Sequence, residues 1–302
     1  MALKNNTWKI NQWYDQAVAG NVEYSGSAAE RTKLYVWGAN GYGTLGLNAQ
    51  GSWSPNGQYL TAQSSPIQIP GDWSSLIFGP AYAHAINTDG ELWAWGQNNN
   101  YGQLGVNNRT EYSSPVQVPG TTWNKVATTY NTSIATKTNG TLWSMGYNGP
   151  GHLGQNSRTS YSSPVQIPGT TWSVVTGGNS FVVATKTDGT LWSWGSGAYG
   201  SLGHGTFSPS LKYSSPVQIP GTTWSWVNAA AASVYASKTD GTLWTWGDNQ
   251  AGQNAQNDRG GYDGLWGPLL ARSSPTQVPG IWTMDVIKTG PIPSRSGAAL
   301  KT

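Results

Sequence analysis

Three histidines, His84, His152 and His204, are the side chains of this sequence whose ordinary charge change falls near neutrality. To bind a metal or relay a proton, an imidazole needs a second histidine, a carboxylate or a nucleophile held beside it. No such partner stands at ligand spacing from any of the three. They read as structural or solvated: His84 in a strand, His152 at the glutamine position of a recurring turn, and His204 in a loop. Asp258 and Asp263 are the close pair of carboxylates away from predicted strands. Two carboxylates on one loop could act as acid and base, but nothing in the sequence fixes their separation. Asp89, Asp188 and Asp240 each precede a glycine, where a short acidic side chain stabilises a turn. Serines are plentiful, yet no Gly-x-Ser-x-Gly elbow with a matching base appears. Residues Gly195 to Gly200 fit Gly-x-Gly-x-x-Gly, but they open no helix and lie inside a repeated turn, so the match reads as chance. Cysteine is absent, which removes thiol nucleophiles, disulfides and cysteine metal sites together. These residues predict a non-enzymatic chain with no cofactor and no metal.

The elements that must position every side chain are set by a repeat. Leu34-Tyr35-Val36-Trp37-Gly38 recurs as Leu92-Trp93-Ala94-Trp95-Gly96, Leu142-Trp143-Ser144-Met145-Gly146, Leu191-Trp192-Ser193-Trp194-Gly195 and Leu243-Trp244-Thr245-Trp246-Gly247. Ser-Ser-Pro recurs at Ser64, Ser113, Ser162, Ser214 and Ser273, at spacings of 49, 49, 52 and 59 residues. A period near fifty residues is the size of a propeller blade. Within a unit the pattern is β throughout: Trp123 to Thr138 is rich in β-branched residues, and Asn139-Gly140 then marks a tight hairpin. Side chains alternate along a strand, so the two tryptophans of Leu-Trp-x-Trp-Gly share a face. The Ser-Ser-Pro segment suits an outer strand, where the missing proline N–H is harmless. One such sheet cannot bury both faces alone. Radial stacking solves this, and the predicted fold is an all-β propeller over residues 31–302.

Gly-x-Leu-Trp-x-Trp-Gly-x-Asn-x-x-x-Gly-Gln-Leu-Gly, present as Gly90 to Gly105, resembles the regulator-of-chromosome-condensation repeat. The resemblance spans about residues 31–302 and recurs five times. The wording between units, Ser-Ser-Pro-Val-Gln-Ile-Pro-Gly-Thr-Thr-Trp, is similar to repeat proteins of marine tailed phages. The family founder binds chromatin and exchanges nucleotide on a small GTPase. This chain has no basic tails and no counterpart of an exchange wedge, so that activity is not expected here. The family usually has seven blades, whereas five are counted in this sequence. The C-terminus stops at Ala299-Leu300-Lys301-Thr302, where an internal unit would turn into its next strand, and Lys33 begins with that missing half. The expectation is five blades, one completed by both termini within the chain or with a second copy.

Residues 1–30 do not repeat. Ile10, Trp13, Tyr14, Ala17 and Val18 have the spacing of a short amphipathic helix, with Thr7 able to cap it and Gly20 able to end it. Ile10, Trp13, Tyr14 and Val18 are the docking candidates, toward the chain's own propeller or a partner's groove. The loops after each Gly-Gln-Leu-Gly turn vary in length and emerge on one face, often the binding face of repeat folds. Tyr112, Tyr161 and Tyr213 recur just before Ser-Ser-Pro and read as structural. Trp53, Tyr59, Phe207, Tyr262 and Trp266 are the loop-face binding candidates, suited to sugars or proteins. Only 10% of residues are charged and the net charge is +3, with lysines and arginines scattered, which argues against nucleic acid. No apolar run approaches a bilayer span, and the first residues lack a signal-peptide core. The expected role is a virion structural protein of a tailed phage, a head decoration or tail-associated adhesin made in the host cytoplasm. Its expected partners are other virion proteins through residues 1–30, a host-surface glycan or protein on the loop face, and further copies of itself. The alternatives are a free carbohydrate-binding lectin and an intracellular protein-interaction scaffold.

Overall fold

The computed structural model describes residues 32–51, 61–98, 100–206, 208, 210–258, 271–289 and 297–301, with side chains as far as Trp282. A two-stranded antiparallel sheet of β1 (Leu34–Gly38) and β2 (Gln63–Ile69) comes first. Four four-stranded sheets follow in chain order. They are β3 (Trp73–Phe78), β4 (Tyr82–Asn87), β5 (Leu92–Gly96) and β6 (Tyr112–Gln117); β7 (Trp123–Thr128), β8 (Thr132–Lys137), β9 (Leu142–Gly146) and β10 (Tyr161–Ile167); β11 (Trp172–Gly177), β12 (Phe181–Lys186), β13 (Leu191–Ser196) and β14 (Lys212–Ile219); and β15 (Trp224–Ala230), β16 (Ser233–Lys238), β17 (Leu243–Gly247) and β18 (Arg272–Val278). β19 (Trp282–Thr289) and β20 (Gly297–Lys301) form a last two-stranded sheet. Among the described residues the helical content is one 3-10 turn at Ala198–Gly200.

Burial explains the composition of each strand. The second strands, such as Phe181–Lys186, are buried on both faces up to their last residue, because each sheet is covered by a neighbour on either side. They are therefore built from small and apolar residues, such as Thr-Ser-Ile-Ala-Thr and Phe-Val-Val-Ala-Thr, without a solvent-facing polar alternation. The fourth strands lie at the outer edge and are half-buried. Their Ser-Ser-Pro segments coincide with a register shift against the third strand in every sheet, from Val36/Gly38 to Thr245/Gly247. A bulge at an edge is where a strand tolerates proline.

The core lies in the seams. Ile134, Leu142 and Ile167 of one sheet pack on Trp172, Val182, Ala184 and Trp194 of the next, and the same layering recurs at three further seams. As the alternation predicts, in the three pentapeptides with two tryptophans both share a face and meet the blade-leading tryptophan edge-on. Trp172 lies 6.2 Å from Trp192 and 5.9 Å from Trp194. The buried indole Nε1–H then donates across the seam to the preceding sheet: Trp95 to the Thr44 carbonyl at 2.8 Å, Trp194 to His152 at 2.9 Å and Trp246 to Ser201 at 2.9 Å. Glycine is required on the other side of this contact. Gly102 has φ +77°, and a Cβ there would stand 2.6 Å from the Cα of Ser162 in the next sheet.

The end sheets are the two halves expected of a split blade: β1–β2 match the third and fourth strands of a unit, and β19–β20 the first and second. Trp282 stands opposite Lys301 as Trp123 stands opposite Lys137. In the hydrogen-bonded strand order the two halves remain separate sheets. Trp37 is accordingly 54% exposed, whereas Trp95, Trp194 and Trp246 are fully buried.

Candidate functional site

Antiparallel strand order places the first-to-second turns and the third-to-fourth loops at one end of every sheet. A buried asparagine fixes the base of the loop in three of the four complete blades. Asn98 Nδ2 donates to the carbonyls of Asn108 and Thr110 at 3.0 Å each, while its Oδ1 accepts from Leu104 N at 3.0 Å. Asn148 repeats this with Ser157, Thr159 and Leu153 at 2.9, 2.9 and 2.8 Å. Asn249 holds the backbone of Asn254 and the carboxylate of Asp258. In the remaining blade Gly197 takes this position, and its N–H bonds Leu211 instead. Tyr112, Tyr161 and Tyr213 stand opposite Gly96, Gly146 and Gly195, which fits their reading as repeat positions.

The same end carries five of the six exposed aromatic side chains among the described residues, the sixth being Tyr35 on β1. Trp37, Tyr42, Phe78, Tyr130 and Tyr199 are all exposed. Phe78 and Tyr130 border first-to-second turns, and Trp37, Tyr42 and Tyr199 border third-to-fourth loops. Trp37, Tyr42 and Phe78 line one shallow cavity of about 290 Å³ between β1–β2 and the next blade. Tyr101 and Tyr147 stack across a seam at 4.6 Å. An aromatic surface of this kind offers large contact area with little conformational entropy to lose.

Ile10, Trp13, Tyr14 and Val18, and Trp53, Tyr59, Phe207, Tyr262 and Trp266, all lie outside the described residues. The aromatic set found here escaped notice for two reasons. Trp37 belongs to the pentapeptide and so reads as core. Tyr130 and Phe78 lie in or beside turns too short to stand out, although neither residue recurs in the other units.

The titratable groups are built into the seams. His84 and His152 are buried, and burial pushes both imidazoles down to about 4. Thr132 gives its hydroxyl hydrogen to the Tyr147 carbonyl at 2.6 Å, so His152 Nε2, 2.5 Å from that oxygen, is the donor to it. Ser133 similarly donates to the Gln103 carbonyl at 3.0 Å, with His84 Nδ1 3.4 Å away. A buried serine whose proton is committed to a carbonyl cannot meet a substrate. His204 is half-buried beside Ser193, and that burial also lowers it. Asp258 is engaged by Arg272 at 2.7 Å and by Asn249 at 2.7 Å, while Asp263 lies outside the described residues. Asp188 and Asp240 are held below the usual carboxylate range by the hydroxyl and amide of Thr190 and Thr242. Among the described residues no cluster of three histidines or carboxylates could hold a metal ion.

Repeated four-stranded sheets with seam-buried tryptophans define a β-propeller, and the turn motifs define its type. The family model for the Regulator of chromosome condensation (RCC1) repeat matches residues 89–135, 139–185 and 188–235. Residues 89–235 thus carry three tandem RCC1 repeats within a β-propeller. The chain is 30% identical over 135 residues to the ultraviolet-B receptor UVR8 of Arabidopsis thaliana, covering 43% of this chain and 28% of that protein. It is 30% identical over 121 residues to the regulator of chromosome condensation of Xenopus laevis, covering 39% of this chain and 25% of that protein. The chain thus matches less than a third of the length of these relatives. Among solved structures, human WBSCR16 superposes with a TM-score of 0.67 at 20% identity, covering 84% of this chain and 65% of that one. Yeast RCC1 (Prp20) bound to Kap60 gives 0.64 at 19% identity, covering 87% and 60%.

Proposed function

We propose that this chain is a non-catalytic protein-binding propeller whose contact surface is the loop-bearing end. The observation that carries the reading is the gathering of exposed Trp37, Tyr42, Phe78, Tyr130 and Tyr199 on that end, while His84 and His152 are neutral and sealed in the seams. The relatives lend support, since a yeast homologue of the same fold is described with Kap60 bound. In its finer form the reading is a virion component of a tailed phage, anchored through residues 1–30 and presenting the loop end to a host-surface protein or glycan. The wording between the repeats and the low charge support that form.

Cosedimentation of the full chain with purified phage particles tests it. A W13A/Y14A double variant should lose the particles, while an F78S/Y130S variant should keep them and lose host-surface binding, with unchanged melting temperature. Failure of the full chain to sediment with particles overturns the virion form. Saturable sugar binding by the full chain on a glycan array would then favour the lectin.

A further inference from the structure

All four complete blades present the same pair of edge-on indoles, and three of them fill it with a cation of their own. Lys137 Nζ lies 4.6 and 4.8 Å from the ring centres of Trp123 and Trp143. Lys186 lies 4.7 and 4.5 Å from Trp172 and Trp192, and Lys238 lies 4.9 and 4.8 Å from Trp224 and Trp244. Each ammonium is seated beside the Pro-Gly connection that leads into its blade, at Gly120, Gly169 or Gly221.

The first complete blade keeps the indoles and lacks the cation. Trp73 and Trp93 stand 6.4 Å apart at 82°, but Asn87 occupies the register position opposite Trp73 where the others have lysine. Asn87 is turned toward its own hairpin. Its amide donates to Glu91 Oε2 at 2.7 Å, and its Oδ1 accepts from the N–H groups of Asp89 and Glu91 at 3.1 and 2.8 Å. What remains beside the two rings is a cavity of about 580 Å³, with Gly71, Asp72 and Asn87 among its walls. A second departure coincides with the first. Trp143, Trp192 and Trp244 each donate Nε1–H to a threonine hydroxyl at 2.8–2.9 Å. In this blade Glu91 replaces that threonine, and Trp93 Nε1 is buried without an acceptor.

We propose that this cavity recognises the primary ammonium of a lysine side chain carried by a partner polypeptide. The chain itself shows the bound geometry three times, with the ammonium shared between two ring faces, whose quadrupoles attract a cation. Asp72 adds a carboxylate to the wall, held on one oxygen by Lys33 Nζ at 2.6 Å. Lys33 itself stands over neither ring. The unpaired Trp93 N–H provides a donor for a main-chain carbonyl of the same partner, which a free alkylamine would lack. The site lies in a seam between blades and is independent of the aromatic loop end.

The test follows the indole N–H resonances of Trp73 and Trp93 while the full chain is titrated with N-acetyl-lysine methylamide, its norleucine isostere, or butylamine. The lysine amide should shift both resonances and bind at least about tenfold more tightly than norleucine. Butylamine should shift them more weakly, because it supplies no carbonyl; equal binding would assign the site to any alkylammonium and overturn the peptide part. The variant N87K should supply the chain's own ammonium, abolish the lysine response and raise the melting temperature by about 2–4 °C. Equal affinity for norleucine and lysine amides, or no shift of these two resonances, overturns the proposal. That comparison uses the unmodified chain and does not depend on the variant folding.

Discussion

At the scale of single residues, the buried imidazoles make the fold sensitive to acid. His84 and His152 titrate near 4 in the folded chain and near 6.5 when unfolded. Between those values the unfolded chain binds protons that the folded chain refuses, so stability falls as pH drops from 6.5 toward 4. Each imidazole contributes up to about 1.4 kcal/mol per pH unit in that window. Thermal melts from pH 7 to 4.5 should show this decline, and H152Q, which installs the repeat's own glutamine, should make it shallower. The buried indoles give a second contrast. Trp95→Ala should cost about 3–5 kcal/mol in chemical denaturation, whereas Trp37→Ala, at a half-exposed ring, should cost less than about 1 kcal/mol. The structural role of the histidines was legible from their lack of partners. The exposure of Trp37 was not, because a periodic motif assigns every copy the same environment, and only the seam it lacks distinguishes this one. The lysines were equally opaque: Ala-Thr-Lys-Thr reads as the end of a strand, and the rings that flank its ammonium come from one strand to either side.

At the scale of elements, hairpins and edges were readable and loop bases were not. Asp-Gly and Asn-Gly dipeptides located each second-to-third turn, since Gly90, Gly140, Gly189 and Gly241 all adopt positive φ. The outer position of Ser-Ser-Pro followed from proline's missing donor, although the bulge that accommodates it depends on pairing with the third strand. The asparagine at Asn98, Asn148 and Asn249 belongs to the recognisable motif, but its hydrogen bonds reach residues five to twelve positions away and have no sequence signature. Removing one of these side chains strands two carbonyls and an amide. Asn148→Ala should cost about 1–3 kcal/mol, and hydrogen exchange should speed up at Leu153 N, whose acceptor is lost. The predicted loop-tip contacts, Trp53 through Trp266, lie beyond the described residues. Their assignment rests on repeat-breaking alone, and the cosedimentation and glycan measurements bear on it directly.

At the scale of the whole molecule, stability is distributed over seams, each made by one blade's apolar face and the next blade's indoles. The radial stacking was legible because a single sheet with tryptophans on one face has nowhere else to bury them. The two terminal half-blades stand as separate sheets, an outcome that no local residue pattern encodes. A chain held this way should unfold as coupled neighbouring units. Asn148→Ala should therefore loosen exchange in the two adjoining blades more than in β15–β18. The glycine that faces the next blade's serine has a further consequence. Four seams present the same bare backbone on one side and the same serine on the other, Gly43 on Ser113, Gly102 on Ser162, Gly151 on Ser214 and Gly200 on Ser273, so these joints are chemically alike. A gene encoding such a chain can duplicate or lose a stretch of about fifty codons and leave all the internal joints chemically unchanged. Unequal recombination would thus lengthen or shorten the propeller in whole blades.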